Sequence, residues 1–222
     1  MTIWNRCVLY KYGSNWLTFF RSVEMRNIYF DGGVLSAMSI LSAKKDIRYY
    51  LNGVLLEVDN KLIRAVATDG HLLGVYQQSN KGGDEGEPFR VIISHEVIAK
   101  LDKKVLQHTL SKEGDKYVID NIGFSGVDGT FPDYMRVFPT GKISGEIAQF
   151  NPDFIARFTK VGKALGMKNP MPTIGHNGTG TALVDIGKPD YFAGLMMPYR
   201  AEHTMFSTPA WLTKMEVQNA PV

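Results

Sequence analysis

One pattern recurs three times between residues 26 and 200, and it constrains the fold more than any other feature of the chain. Each copy reads as a short strand, an amphipathic helix and then three strands. The copies begin near residues 26, 88 and 144, roughly 60 residues apart. Because the helix of such a unit can cover the apolar face of its own sheet, the repeat predicts an α+β fold of three βαβββ units.

The first unit opens with a predicted strand over residues 26–30. Asp31 is expected to cap a helix whose apolar face carries Val34, Met38 and Leu41. The residues that follow are rich in β-branched and aromatic side chains and are interrupted by turn residues such as Asp59-Asn60. They predict three strands, over residues 49–58, 62–67 and 71–77.

The second unit repeats this order. A strand is predicted over residues 88–93, Ser94 is expected to cap the helix, and Val97, Ile98 and Leu101 form its apolar face. Three more strands are predicted over residues 105–110, 116–119 and 123–127.

The third unit has the clearest helix start, because Asn151, Pro152 and Asp153 supply a cap, a proline at the first position and an acid in the first turn. A strand is predicted before it, over residues 144–150, and Gly166 can end the helix. The apolar helix face holds Phe154, Phe158, Val161 and Leu165, and strands are predicted over 172–176, 181–186 and 191–197.

The two ends of the chain show no strong period. Residues 1–25 are predicted to be an N-terminal extension and residues 201–222 a C-terminal tail with a short helix around 211–215. Between them, we expect one domain of two units over 26–140 and the third unit over 141–200. No uncharged apolar run approaches the roughly 20 residues that span a bilayer. The single cysteine fits a reducing compartment, and the expected location is the cytoplasm.

Positive charge is placed on the helices, although the net charge is only +3. On one helix alone such charges would indicate an ordinary solvated surface. Three such helices side by side would form a diffuse basic face that suits phosphate contacts without base readout. The candidate residues are Lys44, Lys45, Arg48, Lys100, Lys103, Lys104, Arg157, Lys160 and Lys163, with Tyr49 and Tyr50 as neighbouring aromatics that are otherwise ordinary strand residues.

No catalytic constellation is apparent in the sequence. The five histidines make no metal-binding pair of the H-x-x-x-H type, and the single cysteine, Cys7, excludes an internal disulfide and a cysteine-based zinc site. The glycine-rich residues 175–180 lack the lysine of a P-loop and lie between predicted strands, which favours a hairpin turn. We therefore predict a binding protein with no cofactor, no metal and no enzymatic activity.

Four motifs carry a family resemblance. They are RYYLNGVLLE at 48–57, AVATDGHLL at 65–73, DGTFPDYMRVFP at 128–139 and MMPYR at 196–200. In this order they resemble the bacterial DNA polymerase III beta subunit family, the sliding clamps. The first three are similar to the family's middle domain and the last to its chain terminus. The resemblance covers about residues 26–200 and is specific because all four motifs keep their order.

The resemblance implies a DNA clamp fold, in which the helices line the inner face of a ring around duplex DNA and a continuous antiparallel sheet forms the outside. It also implies a pocket in which DNA polymerases, the clamp loader and other partners dock short peptides. The DNA contacts would include Lys45, Arg48, Tyr49 and Tyr50. The pocket would be formed by Leu51, Thr68, Gly70, His71, Leu73, Pro132, Arg136, Val137, Leu195, Met196, Met197, Pro198, Tyr199 and Arg200.

The chain departs from the family in three ways. It has three units where the family has six, its third unit resembles the second half of the family's last domain, and Leu72 stands where the family usually has a basic residue. Since family rings hold twelve units, three units per chain predict four chains per ring, with a gapped dimer as the alternative. A shortened clamp of this kind fits a phage or another mobile element.

Two functions remain open at this point. One is a sliding clamp, a homo-oligomeric processivity factor that tethers the replicative DNA polymerase to double-stranded DNA. The other is a clamp-like interaction protein that binds the same peptides without encircling DNA.

Overall fold

The computed structural model describes most of the chain. The described residues are 7–12, 15–20, 26–81, 87–139, 148–176, 178, 180–188 and 190–199. The C-terminal tail with its predicted helix, and the linker before the third unit, lie outside these ranges.

A two-stranded hairpin precedes the repeats. Strands β1 (Cys7–Tyr12) and β2 (Asn15–Phe20) pair antiparallel with one another. The sequence showed no period here because both strands contain runs of consecutive apolar residues, which lack the alternation that marks a half-buried strand.

The first unit has the predicted order of elements, with two local differences. The helix is a single short segment with Gly33 as its cap, so the predicted cap by Asp31 is wrong. Asp31 is still part of the leading strand, and its Oδ2 accepts a hydrogen bond of 2.7 Å from the Tyr76 hydroxyl. Residues Tyr49–Leu51 form a 3₁₀ turn before the next strand. The elements are β3 (Arg26–Asp31), α1 (Val34–Met38), β4 (Gly53–Val58), β5 (Leu62–Thr68) and β6 (Leu72–Ser79).

The second unit confirms its predicted helix start, since the Ser94 side chain accepts a hydrogen bond from the Val97 amide at 3.4 Å. Its elements are β7 (Phe89–Ser94), α2 (His95–Lys100), β8 (Gln107–Glu113), β9 (Lys116–Ile119) and β10 (Ile122–Ser125).

The third unit confirms the predicted cap as well. The Asn151 side chain accepts a hydrogen bond of 2.9 Å from the Asp153 amide, and Gly166 follows the helix with a φ of 83°. Of the predicted leading strand only residues 148–150 are described, and Gln149 forms a bridge to Tyr199. The other elements are α3 (Pro152–Ala164), β11 (Thr173–Gly175), β12 (Ala182–Asp185) and β13 (Phe192–Met196).

The first two units exchange their leading strands. Strand β3 of the first unit pairs with β8 of the second, and β7 of the second pairs with β4 of the first. The third unit joins through its last strand, because β13 pairs antiparallel with β6. The result is one sheet in the order β10-β9-β8-β3 and a second in the order β11-β12-β13-β6-β5-β4-β7.

Apolar side chains pack on both faces of the seven-stranded sheet. On the helix side, Val54, Leu56, Leu72, Phe158 and Met196 belong to one large core that all three units share. On the opposite side lies a smaller group, here called the outer cluster: Ala43, Leu51, Leu55, Val66, Leu73, Ile92, Phe131, Tyr134 and Leu195. The fold is therefore α+β with antiparallel sheets, as predicted. Within the described residues, no helix is long and apolar enough to cross a membrane.

Candidate functional site

A cavity of about 180 Å³ opens beside the outer cluster, on the side of the sheet away from the helices. Its walls come from three parts of the chain that are far apart in sequence: the first unit, the segment after β10, and the third unit. Nine of the predicted pocket residues line it, namely Leu51, Thr68, Gly70, His71, Leu73, Pro132, Val137, Leu195 and Met197.

The tight turn between β5 and β6 forms one wall of this pocket and is held by its own hydrogen bonds. Thr68 Oγ1 donates to the Leu72 carbonyl at 2.6 Å, and Asp69 Oδ1 accepts from the amides of His71 and Leu72 at 2.9 and 2.8 Å. Gly70 has a φ of 93°, a left-handed conformation that favours glycine. The third unit adds a bond from the Met197 amide to the His71 carbonyl at 3.0 Å.

Five predicted pocket residues are placed elsewhere or are not described. Met196 is 0% exposed and packs in the helix-side core. Because successive side chains of a strand point to opposite faces, its neighbours Leu195 and Met197 face the pocket while Met196 does not. Arg136 is exposed and pairs with Asp133 at 2.8 Å without lining the cavity. Pro198 and Tyr199 also lie away from its walls, and Arg200 is outside the described residues.

The pocket also contains residues that the sequence analysis missed: Arg48, Leu72, Phe131, Asp133, Tyr134 and Thr181. The Tyr134 hydroxyl donates a hydrogen bond of 2.6 Å to Glu57 Oε2. Burial of the ring is the main cause that raises the pKa of Tyr134 to about 12, and the bond to Glu57 is the second, so the hydroxyl keeps its proton and remains a donor. Phe131 and Tyr134 lie within the recognised motif at 128–139, so that motif was a usable signal. Thr181 carried none. Leu72, where the family has a basic residue, is 2% exposed and packs in the helix-side core.

On the helix side, basic residues from all three units line two neighbouring clefts. A cleft of about 620 Å³ is lined by Lys44 and Lys45 of the first unit and by Lys103 of the second. A cleft of about 460 Å³ is lined by Lys44 again, together with Lys160 of the third unit. The remaining predicted lysines, Lys100, Lys104 and Lys163, are exposed outside both clefts.

The loop after α1 holds Arg48 in a defined position. Asp46 accepts hydrogen bonds from the Arg48 amide and guanidinium, and the side-chain bond is the main reason that the pKa of Asp46 falls to about 2. Lys45 adopts a positive φ of 60°, which a non-glycine residue rarely does. Beside them, Tyr49 is exposed and Tyr50 is half-buried, with their rings packed edge to face. Arg48 lines the pocket, whereas Lys44 and Lys45 of the same loop line the basic cleft.

Arg157 differs from the predicted phosphate-binding lysines, because its guanidinium is bonded to two groups from the first unit. It donates to the Ile40 carbonyl from two nitrogens, at 3.0 and 2.7 Å, and to Asp69 Oδ2. The other oxygen of Asp69 holds the pocket turn, and His71 of that turn stacks on Phe154 of α3 with ring centroids 5.9 Å apart. Arg157 therefore links the helix of the third unit to the wall of the pocket.

Across the part of the chain that the structure describes, no group of three or more His, Cys, Asp and Glu side chains could hold a metal ion.

Part of the chain matches a known protein family. Residues 33–133 match the family described as the DNA polymerase III beta subunit, central domain. The beta sliding clamp of Vibrio cholerae is 34% identical over 121 residues, which are 48% of this chain and 31% of that protein. The beta sliding clamp of Escherichia coli K12 is 32% identical over 114 residues, with the same two shares. The matched segment thus spans about a third of the length of these relatives.

Solved structures show the fold over a longer stretch. A sliding clamp from Pseudomonas aeruginosa superposes with a TM-score of 0.62 at 20% identity, covering 88% of this chain and 74% of that one. The beta subunit from Thermotoga maritima gives a TM-score of 0.59 at 16% identity, with the same coverage. Residues 33–133 therefore match the central-domain family of the DNA polymerase III beta subunit, and the chain as a whole has the fold of, and resembles, a shortened sliding clamp.

Proposed function

We propose that this protein is a DNA sliding clamp, a non-catalytic processivity factor that encircles duplex DNA and tethers a replicative polymerase. The observation that carries the proposal is the arrangement of two faces on one sheet. Lysines from three units gather on the helix side, and an apolar pocket built from three segments opens on the other side. One face suits sequence-independent phosphate contact, and the other suits a protein partner.

The pocket fits an extended peptide with apolar side chains. Leu51, Leu73 and Leu195 supply a rigid apolar floor, and Met197, which is 47% exposed, can adapt its side chain to different partners. A DNA polymerase, a clamp loader and other replication proteins would dock here in turn, in the cytoplasm of a bacterial or phage-infected cell. One adaptable pocket per chain explains how a single protein would serve several partners.

The ring itself follows from the number of units. Three βαβββ units per chain build a ring of twelve from four chains. Among the described residues, the end strands of the two sheets are β3, β7, β10 and β11. The edges of β10 and β11, which belong to the second and third units, support such closure, because a neighbouring chain can pair with them. Unpaired strand edges bind other strands readily, and a closed ring covers them.

The test is topological. The chain is loaded with the host clamp loader and ATP onto a singly nicked circular plasmid, and the complex is filtered at about 0.3 M salt, where simple phosphate contacts weaken. We expect the protein to stay on the circle and to be lost when the plasmid is linearised. Equal retention on both forms would contradict encirclement.

Charge reversal of Lys160 and Lys163, which are exposed on α3, tests the DNA face. The double change to Glu is expected to abolish retention on the circle while thermal stability is kept, because exposed helix positions contribute little to it. Unchanged retention would place these residues away from the DNA.

The second candidate function rests on the pocket alone. The pocket is complete within one chain, so a clamp-like interaction protein could bind peptides without forming a ring. A single-chain mass at micromolar concentration, together with peptide binding, would favour this function over the first.

A further inference from the structure

Among the residues that the structure describes, the third unit lacks a contact that the other two units make with each other. In the first two units, each leading strand pairs with the first of the three strands in the neighbouring unit: β3 with β8, and β7 with β4. The corresponding strand of the third unit, β11, pairs only with β12 among the described residues. Its leading segment, residues 148–150, makes the single bridge of Gln149 to Tyr199.

Side-chain burial shows the same difference. Ile93, the last residue before the cap of α2, lies opposite Val54, and both are 0% exposed. The equivalent positions of the third unit are Phe150, just before the cap of α3, and Ile174 in β11. Both are only partly buried. The third unit therefore has apolar residues at the positions that a strand exchange would bury, but within the described residues no second strand pairs with β11 to bury them.

The surface in question is self-complementary. A single unit presents a leading segment that can be donated and an open first strand that can accept one. The first two units show that two such units satisfy each other reciprocally. Two identical units related by a twofold axis would do the same, because an isologous contact uses one surface twice. Neither residues 148–150 nor β11 carries a charged side chain, so no like-charge repulsion opposes the pairing.

We propose that the third unit forms a two-unit domain with the third unit of a second copy, across a twofold axis, by exchanging residues 148–150 onto β11. The register follows from β7 and β4, where the cap residue Ser94 lies opposite Gly53 and Ile93 opposite Val54. By the same register, Asn151 lies opposite Thr173 of the second copy, Phe150 opposite Ile174, and Gln149 opposite Gly175.

This inference rests on the proposed clamp function and fixes the symmetry of the ring. Last strands pair with last strands in this chain, as β6 does with β13. The last strand β10 of the second unit would then pair with β10 of another copy. Alternating the two twofold contacts closes a ring of four chains and twelve units in which every contact copies one made within the chain. A head-to-tail ring cannot achieve this, because its contacts would join unlike strands.

Cysteine cross-linking tests the register. A tagged Phe150→Cys chain and an untagged Ile174→Cys chain, both with Cys7→Ser, are mixed and oxidised under native conditions. We expect a disulfide-linked species of two chains in the mixture and none with either variant alone. Since adjacent strand residues point to opposite faces, Thr173→Cys is the matched control that should not link to Phe150→Cys. Equal linking of both, or of neither, would overturn the proposal.

Native mass spectrometry gives a second, independent test. Ile174→Lys places a charge in the contact and should reduce the four-chain species to two chains, still joined through β10, while Ile174→Val leaves it intact. Four chains with Ile174→Lys, or single chains with the wild type, would overturn the proposal. Failure of the clamp function is a separate result. If the expected cross-link forms in a protein that is not retained on circular DNA, the twofold contact between third units is supported and the clamp function is contradicted.

Discussion

The pair formed by the first two units and the lone third unit show two ways of completing the same fold. In the pair, exchanged strands bury Ile28, Phe30 and Ile93 almost entirely. The third unit instead attaches through one strand pair, β13 on β6, and through side chains of α3. The difference teaches that a βαβββ unit is half of a domain, because its leading strand pairs with a strand of the neighbouring unit.

The largest expected effect comes from removing the same kind of side chain in both regions. Ile93→Ala should lower the free energy of unfolding by about 2–4 kcal/mol, because it leaves a cavity in a fully buried strand exchange. Ile174→Ala should cost less than about 1 kcal/mol in single chains, since its site is partly open. Urea unfolding at low chain concentration measures both.

Equal costs for these two variants would mean that the third unit is as complete as the first two. A cost for Ile174→Ala that grows with chain concentration would instead show that a second copy covers this position.

The next effect is at the pocket, which the third unit shares with the other two. Leu73→Ala with Met197→Ala should weaken the binding of a fluorescein-labelled partner peptide with apolar side chains by at least about tenfold, because each truncation removes apolar contact from one wall. Fluorescence anisotropy measures the affinity. Leu106→Ala is the matched control, since Leu106 is 93% exposed and lies away from the cavity. An unchanged affinity in the folded double variant would contradict the assignment of this cavity as the peptide-binding pocket.

A smaller effect is expected where α3 meets the pocket turn. Arg157→Gln or Asp69→Asn should each lower the affinity for the same peptide about three-fold to five-fold. The double variant should lower it no further, because each single change already breaks the same ion pair. Asn at position 69 can still accept the turn amides through its carbonyl oxygen. Lys163→Gln, exposed on the same helix, serves as the control. Strictly multiplicative losses in the double variant would show that the two residues act independently.

The smallest expected effect is on how the free energy of unfolding depends on pH, through Asp120 next to the strand exchange. Burial acts to raise the pKa of Asp120, but hydrogen bonds from the Thr109 amide and from His108 outweigh it and hold the pKa below its ordinary value. Because the folded pKa is depressed, this stabilisation is present above the ordinary carboxyl pKa and is lost as the pH falls through the folded value. We expect the free energy of unfolding to fall less steeply with decreasing pH below about pH 4 in Asp120→Asn than in the wild type. The same acid slope in both proteins would exclude this source.

The sequence predicted most features that depend on neighbouring residues, although the cap expected at Asp31 is at Gly33. Ser94 and Asn151 cap their helices as expected because a cap is a contact over two or three positions. The strand exchange could not be read from the sequence, since periodicity identifies strands but not their partners. Arg157 was predicted as a free cation because its partner Asp69 is 88 positions away. Met196 could have been placed correctly, since strand alternation separates it from Leu195 and Met197.

The strand exchange also orders events during protein synthesis. A ribosome releases β3 well before its partner β8, which follows only after α1, β4, β5, β6, β7 and α2 have been made. The seven-stranded sheet can start to close around β4 as soon as β7 emerges, whereas β3 waits with its apolar residues Ile28 and Phe30 uncovered. Long-range pairing of this kind slows folding and exposes an unpaired edge to other chains. The nascent chain is therefore most vulnerable to aggregation between the synthesis of β3 and that of β8.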